Sequence, residues 1–129
     1  LPHYFLGIIS ATSRYALQNQ MQDLKIPMDK FSLLQTADDT KIHKPDPRVF
    51  DPALKLLGRK GLNRHEILYV GDSLRDWRAA RDAGLHFLGL ADNTTPRQAF
   101  QQEGATVINS LTELTSYDWS TLPPAPSPK

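Results

Sequence analysis

Ile67-Leu68-Tyr69-Val70-Gly71-Asp72-Ser73-Leu74-Arg75-Asp76 passes from an apolar run, through a glycine and a carboxylate, into the start of an amphipathic pattern. The run Ile67 to Val70 is continuous rather than alternating and too short for a helix, which predicts a strand buried on both faces of a parallel sheet. Leu74, Trp77, Ala80 and Ala83 then recur at helical spacing, and Gly84 suits a left-handed cap at the helix end. A strand that ends in Gly-Asp and feeds a helix puts its polar turn at the carboxyl edge of the sheet, where open α/β sheets bind ligands.

The same grammar extends in both directions. Upstream, Tyr4 to Ile9 reads as a buried strand that ends in the small polar cluster Ser10, Ala11, Thr12, Ser13. Leu17, Met21 and Leu24 follow at helical spacing until Pro27, and Phe31 to Leu34 fits a short second strand. Asp46 and Pro47 form a cap and first-turn pair ahead of Val49, Phe50, Leu54 and Leu57, with Gly58 at the end. Pro52 either kinks that helix or marks helical geometry beginning at Asp51. Asn63 with Glu66 resembles a capping box. Downstream come a strand at His86 to Leu90, a helix from Pro96 to about Glu103, a strand at Thr106 to Ile108 and a helical turn near Leu111 to Leu114. Buried strands alternating with amphipathic helices predict an α/β domain, with a mainly parallel sheet and flanking helices, over residues 1–119. Residues 120–129 hold four of the ten prolines and read as an extended or disordered tail.

Composition narrows the function classes. A chain of 129 residues with 40% hydrophobic content suits one compact domain. Fifteen basic against fourteen acidic residues leave a formal charge of +1, which offers no whole-chain attraction to nucleic acid or to an anionic membrane. Any anion site must be local. The apolar opening, Leu1 to Ser10, is far shorter than the roughly 20 residues a membrane helix needs. Absence of cysteine excludes a disulfide scaffold, a thiolate zinc site and a cysteine nucleophile, and agrees with a cytoplasmic protein.

Asp72 and Asp76 are four residues apart, so a helix starting at Ser73 can set both carboxylates on one side of its first turn. Magnesium takes one or two carboxylates together with phosphate oxygens and water, so this pair is a sufficient protein share of a Mg2+ site. The plainer reading is that the two acids cap the helix and complement its dipole. Lys44 lies in Ile42-His43-Lys44-Pro45-Asp46-Pro47, where two prolines stiffen the backbone, and a fixed ammonium there would neutralise a phosphoryl group. Ser10 ends the first strand, so its hydroxyl and the backbone N–H of Ala11 beyond it could hold a phosphate, or Ser10 could simply cap a helix. Trp77 reads as packing on its helix's apolar stripe, and Arg75, Arg78 and Arg81 as a solvated face offset by Asp76 and Asp82.

Taken in order, the strand ending in Ser10, the Lys44-Pro45-Asp46-Pro47 loop with Phe50, and Gly71-Asp72-Ser73 to Asp76 resemble the second, third and fourth motifs of the haloacid dehalogenase superfamily. Tyr69-Val70-Gly71-Asp72-Ser73, Ala79-Ala80, Ala83-Gly84, Asn93-Thr94-Thr95 and Ser110-Leu111-Thr112-Glu113-Leu114 are similar to its phosphoglycolate phosphatase and β-phosphoglucomutase branch. The resemblance implies a Rossmann-like fold and a magnesium-dependent phosphohydrolase acting on a small phosphorylated metabolite. It implies that Ser10 bonds the transferring phosphoryl group, that Lys44 pairs with it, and that Asp72 ligates Mg2+ with Asp76 as a direct or indirect partner. Ala11 stands where many members have asparagine.

The departure is at the front. Members use an aspartate nucleophile, with a second aspartate two positions on, at the end of a central first strand. Asp38 and Asp39 are adjacent, lack a preceding apolar strand and follow the second motif. Phosphoryl transfer needs an attacking oxygen fixed in line, which electrostatic helpers do not replace. The chain is therefore expected to be the inactive C-terminal part of such an enzyme, its sheet completed by the missing segment or by another copy. The alternative is a catalytically dead module that binds phosphate or a partner. A third class, a receiver-like signalling domain, shares the α/β pattern and an acidic metal site but needs a phosphoacceptor aspartate after a mid-chain strand and an acidic pair near the start, where Leu1 to Ser10 has none.

Overall fold

A computed structural model describes residues 5–27 and 31–115. The chain divides into two compact units, Leu1–His43 and Lys44–Lys129. The expected tail at 120–129, and the strand reading at Tyr4, lie outside the described residues.

In the first unit, β1 (Gly7–Ile9) pairs in parallel with β2 (Leu33–Gln35), Ile8 opposite Leu34. Between them runs α1 (Arg14–Asp23). Its start is set by Ser13, whose side chain accepts a hydrogen bond from the Ala16 N–H at 3.2 Å, satisfying one of the donors that a helix start leaves unpaired. Leu17 and Met21 are buried as the spacing predicts, whereas Leu24 lies beyond the helix and is 70% exposed. Leu24 continues the numerical spacing, but the helix has already ended, so its side chain leaves the apolar stripe.

The second unit opens with a 3-10 turn at Pro47–Phe50, capped by Asp46, which accepts from Arg48 N–H at 2.9 Å. Helix α2 (Asp51–Arg59) follows, so helical geometry begins at Asp51 and Pro52 occupies the first turn, where its missing N–H is no loss. The expected end at Gly58 falls one residue short, since Lys60 is the cap. At Arg64–Glu66 the capping box forms as read: Asn63 accepts from His65 N–H at 3.0 Å and Glu66 from Asn63 N–H at 3.3 Å.

Three parallel strands follow in the order β3 (Leu68–Gly71), β4 (His86–Leu90), β5 (Val107–Ile108), joined by α3 (Leu74–Ala83) and α4 (Arg97–Gln102). Leu68 stands opposite His86 and Gly71 opposite Gly89. Gly84 adopts φ 78° to close α3, a conformation glycine enters without a Cβ penalty. Phe87, Leu88, Phe100, Ile108, Phe50 and the alanines of α3 form the core. Full burial of a side chain the size of Phe50 or Phe100 contributes on the order of 1.5–3 kcal/mol each.

The prediction that Ile67 to Val70 is buried on both faces is corrected. Every residue of β3 is partly exposed, because β3 has a neighbour on one edge alone among the described residues. The middle strand β4 takes the buried role, with Phe87, Leu88 and Gly89 all buried. A last 3-10 turn spans Leu111–Thr115. No helix among the described residues is long and apolar enough to cross a membrane.

Candidate functional site

The turn from β3 into α3 is organised around Asp76. Its cap is Ser73, whose Oγ accepts from Asp76 N–H at 3.1 Å while Asp76 Oδ2 accepts from Ser73 N–H at 3.1 Å. The same oxygen takes Asp72 N–H at 3.1 Å and Ser73 Oγ–H at 2.9 Å. Asp76 Oδ1 accepts from the Lys44 ammonium and from the Tyr69 hydroxyl, the latter at 3.3 Å. Five donors therefore converge on a carboxylate whose side chain is 5% exposed. Gly71 makes the close approach of that carboxylate to the strand possible, since a Cβ there would stand 2.5 Å from Asp76 Cβ.

Lys44 opens the second unit, and its peptide bond to Pro45 is cis. Consecutive residues of α3 grip it at both ends. Asp76 takes its ammonium, and Arg75 donates to its carbonyl oxygen at 2.8 and 3.3 Å. The ammonium also donates to Tyr69 Oη at 3.3 Å. Burial by itself would lower the Lys44 pKa, but Tyr69 and Asp76 outweigh it and hold the group above the ordinary lysine value. Burial pushes the Tyr69 hydroxyl up, opposed by Lys44. Breaking a buried pair of this kind by removing one partner costs about 3–5 kcal/mol, because the other charge is left uncompensated.

Asp72 differs from Asp76 in every respect. It is exposed, precedes the helix, and its carboxylate has no side-chain partner among the described residues. The plainer expectation that Asp72 caps α3 is corrected, since Ser73 is the cap. Among the described residues no group of three or more His, Cys, Asp or Glu is placed to hold a metal ion. The β3–α3 turn carries two acids, Asp72 without a side-chain partner among the described residues and Asp76 with both oxygens occupied.

Ser10 and Ala11 belong to the first unit. Ser10 N–H donates to Gln35 O at 2.9 Å, extending the β1–β2 pairing, and Ser10 Oγ lies 2.8 Å from Thr12 Oγ1 and accepts from Thr12 N–H at 3.1 Å. Ser13, not Ser10, caps α1. Asp38 Oδ2 accepts from Arg14 N–H at 2.8 Å, so a carboxylate of the chain already occupies part of the α1 start. The Ala11 N–H makes no hydrogen bond among the described residues.

Two residues of this geometry were not singled out by sequence. Tyr69 reads as one more apolar strand residue, and its hydroxyl is the only hint of a polar task. Arg75 reads as part of a solvated face with Arg78 and Arg81, yet it bonds Lys44, while Arg78 pairs with Glu103 and Arg81 with Asp82. Trp77 packs against Phe87 with ring centres 5.5 Å apart, as its stripe position predicts.

Comparison with known proteins adds an independent line. A family model described as haloacid dehalogenase-like hydrolase matches residues 2–90. A phosphoglycolate phosphatase from Yersinia pseudotuberculosis is 44% identical over 62 residues, covering 48% of this chain and 25% of that protein. An (S)-2-haloacid dehalogenase 4A from Burkholderia cepacia is 30% identical over 111 residues, 86% of this chain and 46% of that protein. The crystal structure of a haloacid dehalogenase-like hydrolase from Bacteroides fragilis superposes with a TM-score of 0.73 at 31% identity, covering 85% of this chain and 51% of that one. The chain spans between a quarter and about half the length of these relatives. The match runs from the strand before Ser10 through the Lys44 loop to β4, and this chain belongs to the haloacid dehalogenase-like hydrolases, with its likeness running to their phosphoglycolate phosphatase branch.

Proposed function

We propose that these residues are the oxyanion-holding and cation-holding part of a magnesium-dependent phosphohydrolase for a small phosphorylated metabolite. One observation carries the reading: Lys44 is held by its carbonyl and its ammonium at the turn that follows β3, the turn that also carries Asp72, whose carboxylate has no side-chain partner among the described residues. A partly buried ammonium fixed in advance stabilises charge on a transferring phosphoryl group without reorganising as the reaction proceeds.

In this reading Lys44 donates to a phosphoryl oxygen. Within the first unit, Ser10 Oγ and the Ala11 N–H are proposed as phosphate-binding donors. Asp72 is the direct Mg2+ ligand, which fits a metal that takes one or two carboxylates and completes its shell with phosphate and water. Asp76, with both oxygens occupied, serves that site indirectly by holding Lys44 and the turn that carries Asp72. When bound, the metal would neutralise charge on the phosphate.

The attacking carboxylate is proposed to come from outside this stretch. Asp38 and Asp39 are engaged elsewhere, Asp38 with Arg14 N–H and Asp39 with Thr36 and Arg14. An outside segment, or a second copy of the chain, is proposed to pair with the edge of β3 that has no neighbour among the described residues. A cytoplasmic location goes with a small soluble metabolite.

A phosphate-release assay tests the proposal, using phosphoglycolate and p-nitrophenyl phosphate with and without Mg2+. The 129-residue chain alone should not turn over, whereas the same chain joined to an Asp-x-Asp strand and cap should do so with Mg2+. Lys44→Ala and Asp72→Asn should each remove about 10²-fold or more of that activity, the scale of losing an electrostatic contact to the transition state. Vigorous release by the chain alone, or dehalogenation of 2-haloacids with no phosphatase activity in the completed protein, would refute it.

A further inference from the structure

We infer that Tyr69 is a positioning residue for Lys44, and that it leaves one ammonium N–H available for a ligand oxyanion. The inference rests on the role just proposed for Lys44 and adds a residue to it. A lysine ammonium has three N–H donors and no acceptor. One is taken by Asp76 Oδ1 and one by Tyr69 Oη at 3.3 Å. Lys44 can only donate, so the Tyr69 oxygen must present a lone pair to it, and the single phenolic proton is directed to Asp76 Oδ1 at 3.3 Å. The three groups form a closed triangle in which each hydrogen bond fixes the direction of the next.

The ammonium lies 5.8 Å from the centre of the Tyr69 ring. Together with its 3.3 Å approach to the oxygen, this places it off the hydroxyl end of the ring rather than over the π face. The contact is thus a hydrogen bond, and removing the oxygen removes it. The ring itself is held independently. Phe50, 1% exposed, meets it edge-on at 4.9 Å and 74°, and Phe87 lies 6.3 Å away on the other strand. Arg75 holds the Lys44 backbone in the meantime.

A phenylalanine at this position would keep the ring and its packing. It would also free the ammonium to turn about its last two bonds between Asp76 and solvent, because two of its donors would then lack acceptors. The orientation of the remaining N–H, toward a single oxygen of a tetrahedral oxyanion, is what the hydroxyl supplies.

The test reads Lys44 directly in the 129-residue chain, without turnover or metal. Lysine NH3+ signals are recorded by 15N NMR at low temperature, and Lys44 is assigned by its disappearance in Lys44→Arg. The wild-type Lys44 signal should be resolved, with hydrogen exchange much slower than that of exposed Lys41 and Lys55. In Tyr69→Phe, with the backbone amide spectrum otherwise retained, exchange should rise roughly tenfold, the order expected when one hydrogen bond to a charged group is lost. An unchanged Lys44 exchange rate in Tyr69→Phe, with a large increase in Asp76→Asn, would overturn the inference, as would a wild-type Lys44 that exchanges as fast as Lys41. Because no phosphoester is involved, a completed protein that fails to hydrolyse phosphate esters would sink the proposed function and leave this result standing.

Discussion

Asp76 has nowhere to retreat. Its two oxygens are bound by five donors, and the Gly71 backbone lies where any larger residue would intrude on it. A Cβ at Gly71 would stand 2.5 Å from Asp76 Cβ and 2.7 Å from its Cγ, so Gly71→Ala must displace the carboxylate or the strand. The expected cost is about 1–3 kcal/mol, the range for overpacking a filled site. Gly58 is the contrasting case: it lies within α2, and a Cβ there meets nothing within 4 Å. Gly58→Ala should therefore stabilise by about 0.5–1 kcal/mol through helix propensity. Urea midpoints of the two variants should move in opposite directions, and a Gly71→Ala midpoint equal to wild type would show that Asp76 is looser than drawn. At this scale the sequence was readable where a residue type has few other uses. Gly-Asp-Ser followed by Asp implied a capped turn with two acids, and Lys44 between prolines implied a held cation. It could not divide the labour between the acids, because which carboxylate turns inward depends on the Lys44 loop approaching from 32 positions earlier. Nor could it find Tyr69, which sits in a continuous apolar run as any buried strand residue would.

Short elements in the first unit depend on their turns more than on their own hydrogen bonds. Strand β2 has three residues, and the chain after it is fixed by Asp39, which accepts from Thr36 N–H at 2.7 Å, from Thr36 Oγ1 at 3.2 Å and from the Arg14 guanidinium at 2.8 Å. The Thr36 backbone hydrogen bond, with the Arg14 charge behind it, holds the Asp39 carboxyl below the usual carboxylate range. The sign follows from linkage: a group whose folded pKa is lowered contributes stability above its unfolded pKa, and loses it as pH falls through the folded pKa. The first unit should therefore weaken on acidification below the ordinary aspartate range. Asp39→Asn should be less stable than wild type at neutral pH, and the difference should shrink as pH falls. Amide exchange at residues 33–37 checks this, and a pH-independent gap between the proteins would remove Asp39 from the account. Element types were largely legible because each carries its own punctuation: Ser13 before α1, Asp46-Pro47 before α2, the Asn63–Glu66 box, and Gly84 after α3. Pro52 was ambiguous because a proline at a first turn and a proline in a kink obey the same local rule. Burial of Ile67 to Val70 was misjudged for a different reason: how many neighbours a strand has is decided by other segments, not by its own residues.

Parallel strands are ordinarily covered on both faces, and among the described residues only β4 also has a neighbour on both edges. Strand β3 bonds β4 alone and β1 bonds β2 alone among the described residues. The open edge of Leu68–Gly71 carries no lysine, no proline and no inward charge, which are the devices that keep exposed edges from pairing. The relatives, for which this chain spans at most about half the length, have further sequence available for such a task. The chain by itself is accordingly expected to pair its edges with a second copy, giving a solution mass above its 14.5 kDa. Hydrogen exchange gives the sharper reading, since the β3 amides that do not bond β4 have no partner within the strand's own sheet. In the associated form those amides should be protected along with their neighbours, and on dilution to monomer they should exchange at nearly unfolded rates while the β4 amides stay slow. Adding a peptide with an apolar strand that ends in Asp-x-Asp should restore protection at β3 without restoring the dimer. A soluble monomer at high concentration, with every β3 amide slow and no added peptide, would mean that the edge is already satisfied, and the case for a missing strand would fall with it.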